Sequence, residues 1–224
     1  QDLPARRFSM PPEEILLVNP NTGTTPVFRS RRDAEITIGI YKRVPILWRD
    51  DPMENPWGLS FLRMFDMAND SGLFRTREQL ERDGWILNGN IFVRDSKRML
   101  PLYEAKMIHQ FDHRYGTYQG QTEAQARMGT LPRLTIEQKD DPAFVVQPHY
   151  WAQEFNTLDV QKSTAEKSVY SAVGVRSRLE TRNWDRGWLL GWRNICRSTD
   201  ERTMICGSLP RVALGHAFPL TLSS

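Results

Sequence analysis

Cysteine, lysine and long apolar runs are all scarce in this chain of 224 residues. Two cysteines, Cys196 and Cys206, cannot build a disulfide scaffold, so we expect reduced core thiols in a cytoplasmic protein. The longest apolar runs, such as residues 15–18, fall far short of the roughly 20 residues that cross a bilayer. We therefore expect no membrane partner.

The overall composition is that of a folded domain. Hydrophobic residues make up 39% and charged residues 25% of the chain, which excludes a disordered protein. This length supports one large domain or two small ones with a buried core. Because the chain begins with Gln1 rather than Met, we expect it to be a segment of a longer protein.

Arginine dominates the basic residues. The chain has 30 basic and 27 acidic residues, and all but six of the 30 are arginine. The guanidinium fork binds phosphate and guanine edges in a bidentate manner, which favours a nucleic-acid partner. A GC-rich genome produces the same bias, so the composition alone leaves both interpretations open.

Hydrophobic periodicity predicts a mixed α+β fold, with short helices and a mainly antiparallel sheet. Ser30 with Asp33 and Thr76 with Gln79 have the spacing of helix N-terminal capping pairs. The predicted strands are 13–18, 91–93 and 100–108, with a hairpin at 203–214. The predicted helices are 31–43, 76–84 and 122–128, and residues 59–67 are apolar at helical spacing. Residues 131–142 read as a polar excursion.

Prolines at 132, 142 and 148 interrupt these patterns and indicate an internal boundary. We predict an entry linker at 1–14, a first part at 15–145 and a Trp-rich second part at 146–224. In the second part, Trp184, Trp188 and Trp192 are spaced by four. Such a set is typical of a core, and the alternative is stacking on unpaired bases.

Residues 15–22 contain the beginning of an amino-methyltransferase loop, Asn19-Pro20-Asn21-Thr22. In the complete Asn-Pro-Pro-aromatic loop, the Asn and a Pro carbonyl hold the target amine and the aromatic ring stacks on the flipped base. Thr22 has no π-face, and no glycine-rich loop for S-adenosylmethionine is recognisable. We therefore predict no catalytic or cofactor-binding residue in this chain.

Two further patterns suggest metal chemistry. Asp95, Glu104 and Lys106 are the residue types of a Mg²⁺-dependent nuclease, in which carboxylates hold the metal and lysine positions water. His109 and His113 have zinc-ligand spacing on a helix, but Gln110 replaces the metalloprotease glutamate and no third ligand lies nearby. The nuclease stays open as an alternative, and we predict no metal site.

Three stretches in chain order resemble the segment after the catalytic domain in large bacterial adenine-N6 DNA methyltransferases of restriction-modification and phage-defence systems. The first stretch is NPNT at 19–22 followed by PVFRSRRDAE at 26–35. The central one is PLYEAKMIHQFDHR at 101–114, and the late one is WRNI at 192–195 followed by STDERT at 198–203.

The resemblance implies a target-recognition region with a TaqI-like specificity fold. Its partners would be double-stranded DNA and a catalytic domain of the same parent chain, and that domain would bind S-adenosylmethionine. The resemblance and the arginine clusters together give a set of expected DNA contacts: Arg29, Arg31, Arg32, Lys106, Arg114, Arg197 and Arg202. A protein-interaction domain without a DNA role is the other alternative.

Overall fold

Short helices and antiparallel strands make up this computed structural model, which describes residues 8–155, 173–197, 199–202 and 204–223. The helices are α1 (Pro12–Val18), α2 (Arg31–Tyr41), α3 (Arg77–Arg82), α4 (Glu123–Arg127), α5 (Ile136–Asp140) and α6 (Val175–Glu180). The strands are β1 (Leu59–Leu62), β2 (Ile86–Asn88), β3 (Ile91–Arg94), β4 (Lys97–Tyr103), β5 (Trp151–Gln153), β6 (Trp188–Trp192), β7 (Cys206–Pro210), β8 (Ala213–Leu214) and β9 (Leu220–Ser223). The α+β class is confirmed.

The chain divides into two compact units, Gln1–Leu59 with Ser223–Ser224, and Ser60–Leu222. The first unit contains α1 and α2, which are linked by an ion pair of 3.2 Å between Lys42 Nζ and Glu14 Oε1. The prediction for α2 is confirmed, since the Ser30 side chain accepts a hydrogen bond from the Asp33 N–H. The predicted strand at 13–18 is wrong, because Pro12 at the first helical position and two glutamates favour a helix start.

The second unit contains two sheets. In the first sheet the strand order is β1-β9-β6-β7, and β6 and β7 form an antiparallel pair from Trp188 opposite Pro210 to Trp192 opposite Cys206. In the second sheet β2, β3, β4 and β5 are antiparallel neighbours, and β8 pairs with β4 in parallel. Strands from both sides of residue 145 therefore share a sheet, while the predicted division into parts stays a prediction.

The main core of the second unit lies among both sheets and the segments that join them. Its fully buried side chains include Phe65, Met107, Ile108 and Phe218. A smaller cluster surrounds Trp151, whose indole N–H donates to a backbone carbonyl at 2.7 Å. Met107 and Ile108 therefore anchor the polypeptide in the main core just before residue 109.

Several predicted elements of this unit differ from the structure. The helical spacing at 59–67 predicted the wrong element, because β1 begins there and the buried Met64 and Phe65 follow it in non-helical backbone. The predicted strand 100–108 is correct only as far as Tyr103, and a 3-10 turn follows at Ala105–Met107. The hairpin at 203–214 is wrong, since β7 pairs with β6 and β8 with β4.

Other local predictions are confirmed. Helices α3 and α4 begin at capping boxes, Thr76 with Gln79 and Thr122 with Gln125, in which both hydrogen bonds are present. Strand β3 lies where predicted, whereas α5 lies in the stretch read as a polar excursion, where no helix was predicted. The two cysteines are free and are half-buried, so they are not core thiols.

Candidate nucleic-acid interface

Two segments distant in sequence meet beyond the paired ends of β6 and β7. One is the turn His109–Asp112, closed by His109 N–H donating to the Asp112 carbonyl at 2.7 Å and by the reverse bond at 2.9 Å. The other is the connection between β6 and β7. They are joined at Cys206, whose carbonyl accepts from Phe111 N–H at 2.8 Å and whose N–H donates to Gln110 Oε1 at 3.0 Å.

Arg193, the residue after β6, links the β6–β7 connection to the segment that precedes the turn. Its Nε donates to the carbonyl oxygens of Ala105 at 3.0 Å and Ile108 at 2.9 Å, and its Nη2 also donates to Ile108. Burial lowers the pKa of Arg193, and Tyr115 and Asp200 oppose that shift. The guanidinium remains a cation at neutral pH because the ordinary arginine pKa is so high.

Tyr115 is the aromatic centre of a cationic cluster. The His109 ring stacks on it with centroids 4.5 Å apart, and the guanidinium carbons of Arg133 and Arg193 lie 5.1 and 5.7 Å from its centroid. Burial lowers the pKa of His109, followed by the charges of Arg193 and Arg133. His109 is therefore neutral at pH 7, and an anion beside the two arginines would favour its protonation.

The β6–β7 connection carries exposed arginines beside this cluster. The Asp200 carboxylate accepts from the Arg197 N–H at 2.7 Å, and the Asp200 N–H donates to the Arg197 carbonyl at 3.0 Å. The side chains of Arg197 and Arg202 are exposed and have no ion pair with any described residue. We call the turn 109–112, Tyr115, Arg133, Arg193 and the described residues of 194–202 the basic tip.

The basic tip also exposes apolar side chains. Phe111 is 80% exposed and Ile195 is 76% exposed, and Met204 lies exposed just before β7. Single exposed apolar side chains are common on protein surfaces, and what distinguishes Phe111 and Ile195 is that they lie among cations. The combination fits a ligand that has both anionic and apolar parts, as a nucleic acid does.

Lys106 lies one residue beyond a carbonyl that Arg193 binds, but its own partner is Glu104. Lys106 Nζ is 3.3 Å from Glu104 Oε2, and the Tyr118 hydroxyl donates to Glu104 Oε1. The ammonium also lies 4.9 Å from the centroid of the Tyr118 ring. Burial, and then the Glu104 contact, raises the pKa of Tyr118, which keeps the hydroxyl protonated as a donor.

The geometry does not favour the nuclease alternative. Asp95 lies in the turn before β4 and Glu104 follows its last residue, so the whole strand, about 20 Å long at roughly 3.3 Å per residue, lies between them. Both oxygens of Glu104 already have partners. In the described part of the chain, no group of three metal-ligating His, Cys, Asp or Glu side chains occurs.

Arg114 is directed at the end of a helix. Its Nη2 donates to the carbonyl oxygens of Lys139 at 2.9 Å and Asp141 at 3.2 Å, which are among the terminal carbonyls of α5. A guanidinium in that position satisfies the unpaired acceptors of a helix C-terminus. The geometry gives Arg114 a structural role, and its contact with DNA stays a prediction.

Arg29, Arg31 and Arg32 belong to the first unit, at the N-terminus of α2. All three are exposed; Arg32 lies 3.7 Å from Glu35, and Arg31 lies over the Phe8 ring. An ion pair this exposed stabilises the helix little. These side chains are accessible to a ligand, and their contact with DNA stays a prediction.

The three tryptophans do not share one environment. Trp184 is buried and its indole N–H donates to the Trp188 carbonyl at 2.9 Å, whereas the Trp188 ring is 42% exposed. Trp188 and Trp192 lie on one face of β6 because their separation is even. The Arg186 guanidinium lies over both the Trp184 and Trp188 rings. The core interpretation is therefore right for Trp184 and wrong for Trp188.

Sequence reasoning did not select the centre of the basic tip. Arg133 and Tyr115 lie far from Arg193 in sequence, and no local pattern connects them. The one available signal in the sequence was the arginine-rich stretch 193–202, from which Arg197 and Arg202 were predicted as DNA contacts.

Among the described residues, no helix has the length and apolarity to cross a bilayer. Comparisons with protein-family models, curated proteins and solved structures found no match.

Proposed function

We propose that the chain is the DNA-binding target-recognition module of an adenine-N6 DNA methyltransferase of the restriction-modification or phage-defence type. The module holds duplex DNA while a catalytic domain of the same parent chain, which binds S-adenosylmethionine, methylates a flipped adenine. On this proposal the α+β fold is a TaqI-like specificity domain. The chain itself carries out no methyl transfer.

The observation that carries the proposal is the basic tip. Arg133 and Arg193 flank the Tyr115 ring, and Arg197 and Arg202 are exposed on the adjoining connection. Arginine side chains suit phosphate contacts, which set the register of a protein on the duplex. Base contacts then come from the few side chains that reach a groove.

The second unit fixes these groups before DNA arrives. Arg193 is tied to the 3-10 turn at Ala105–Met107, and Cys206 is tied to the turn that carries Phe111. Because the backbone of both segments is already bonded, little conformational entropy is lost on binding. The fold therefore supports a preformed DNA surface.

The test is a fluorescence-anisotropy titration of a mixed-sequence duplex pool with the 224-residue chain, at several salt concentrations and without metal. We expect binding at 50 mM salt that weakens steeply as salt rises, with a logarithmic slope of about −0.9 per phosphate neutralised. Absence of binding to any duplex at 50 mM salt, by protein shown to be folded, contradicts the proposal.

A second surface favours the protein-interaction alternative. On the outer face of β6, Trp188 and Leu190 are exposed, and Trp192 meets Phe61 edge to face with centroids 5.3 Å apart. Aromatic side chains of this kind are enriched in protein interfaces. On this alternative the chain associates tightly with a partner subunit, Trp188→Ser weakens that association, and salt-dependent DNA binding is absent.

A further inference from the structure

Phe111 combines two unfavourable features at one position. Its backbone has φ +56°, in the left-handed region where a bulky residue is an outlier. It occupies the third position of the turn His109–Asp112, where a positive φ normally calls for glycine or asparagine. The ring is also 80% exposed, so burial does not compensate for either feature. Such an outlier is a reason to look for function.

The turn that carries this ring is braced on both sides. Phe111 N–H donates to the Cys206 carbonyl at 2.8 Å, and the Asp112 carboxylate accepts from Arg114 N–H at 2.9 Å and from Lys139 Nζ at 2.5 Å. The backbone of the turn is therefore held against β7 and against α5. A ring projecting from a fixed turn loses little freedom when it inserts into a ligand.

The surroundings identify the class of ligand. His109 in the same turn stacks on Tyr115, next to the guanidinium groups of Arg133 and Arg193. A purely apolar protein surface would bring no anion to these cations. A duplex satisfies both sets of groups, because its phosphates meet the cations and its stacked bases accept an apolar side chain.

We propose that Phe111 is a wedge that inserts between adjacent base pairs of the bound duplex and unstacks them. This inference rests on the proposed DNA-binding function and adds a distortion step to it. Apolar side chains inserted in this way kink the duplex, and flexible pyrimidine–purine steps are the easiest to open. The occupant of this surface is thus a duplex with a deformable step.

The test uses the 224-residue chain and mixed-sequence duplexes that carry 2-aminopurine at successive positions. Fluorescence of 2-aminopurine rises when the base is unstacked. Phe111→Asn keeps a residue that tolerates the left-handed backbone but removes the ring, whereas Phe111→Leu keeps an apolar wedge. The matched control is Ile86→Asn, at a 70% exposed position on β2 in the other sheet.

For wild-type protein we expect a fluorescence rise of about threefold or more at one or two positions, with a preference for pyrimidine–purine steps. Phe111→Asn should lose most of the rise while its salt slope is unchanged, since phosphate contacts set that slope. Phe111→Leu should keep at least half of the rise, and Ile86→Asn should match wild type. Thermal unfolding of Phe111→Asn is expected at or above the wild-type temperature.

The outcomes separate the two proposals. If wild-type protein binds no duplex at low salt, the DNA-binding function fails and the wedge fails with it. If wild-type protein binds with the expected salt dependence but 2-aminopurine does not respond, or responds equally in Phe111→Asn, only the wedge is overturned. Loss of the rise in the Ile86→Asn control also overturns the assignment to Phe111.

Discussion

Arg178 and Arg202 lie in the same compact unit, but their guanidinium groups have opposite surroundings. Arg178 donates to both carboxylate oxygens of Asp70, at 2.9 and 3.1 Å, and lies 4.2 Å from the centroid of the Phe65 ring. Arg202 is exposed and has no ion pair with a described residue. The many arginines of this chain therefore include interior side chains that pair with carboxylates, such as Arg178, and exposed side chains, such as Arg202. Only the exposed arginines are available to a ligand.

The largest expected effect is on the interior side of this comparison. Arg178→Ala should lower the free energy of unfolding by about 2–3 kcal/mol, because Asp70 loses a bidentate partner in a mostly buried setting. Urea denaturation measures the loss. Arg182→Ala, at an exposed position in the same region, should change stability by less than about 0.5 kcal/mol. If Arg178→Ala lowered the free energy of unfolding by less than about 1 kcal/mol, interior and exposed arginines would no longer differ in their contribution to stability.

Arg193 combines the two roles, because its guanidinium donates to buried carbonyl oxygens and also lies in the basic tip. Its replacement should therefore change both stability and DNA affinity. Arg193→Lys keeps the charge but cannot reach the Ala105 and Ile108 carbonyls with the same fork. We expect stability to fall by about 1–2 kcal/mol and DNA affinity at 50 mM salt to fall several-fold. Urea denaturation and anisotropy on the same preparation measure both. Unchanged stability would show that the carbonyl contacts of Arg193 are unimportant.

The exposed side is tested by replacing Arg197 and Arg202 together with alanine. Stability should stay within about 0.5 kcal/mol of wild type, since neither side chain pairs with a described residue. DNA affinity at 50 mM salt should fall about tenfold, and the salt slope should shrink by about 1 to 2. Arg82→Ala on α3 is the matched control, because it removes one exposed arginine away from the basic tip. An unchanged slope in the double variant would exclude these residues from the interface.

The parts of the fold that could be predicted are those specified by neighbours in sequence. Helix α3 was predicted from the capping pair Thr76 with Gln79, and α4 begins in the structure at a box of the same kind, Thr122 with Gln125. Strand β4 could be placed but not its end, since the turn after Tyr103 depends on burial of Met107. The pairing of β8 with β4 joins segments over 100 residues apart, and no local pattern predicts it.

The same distinction applies to the candidate site. Arg197 and Arg202 were predicted because they lie in an arginine-rich stretch of sequence. Arg114 looked equivalent, yet it donates to the end of α5, some 25 residues further along. The left-handed backbone of Phe111 lies in a turn that the His109–Asp112 hydrogen bonds close and that the Phe111–Cys206 bond holds, and only Cys206 is distant in sequence. The sequence thus shows which side chains are arginine, and tertiary contacts decide which of them stay accessible.

The smallest expected effect concerns pH and the histidines of this region. Burial lowers the pKa of His109 and of His113, so the unfolded chain takes up protons at a higher pH than the folded chain. Stability should therefore fall as pH drops through the ordinary histidine value of about 6.5, and the fall should level off once the folded groups are protonated. Carboxylates titrate below this window. Urea denaturation between pH 7.5 and 5.5, read against the His109→Gln and His113→Gln double variant, measures the slope. A slope as steep in the variant as in wild type would mean that other groups cause it.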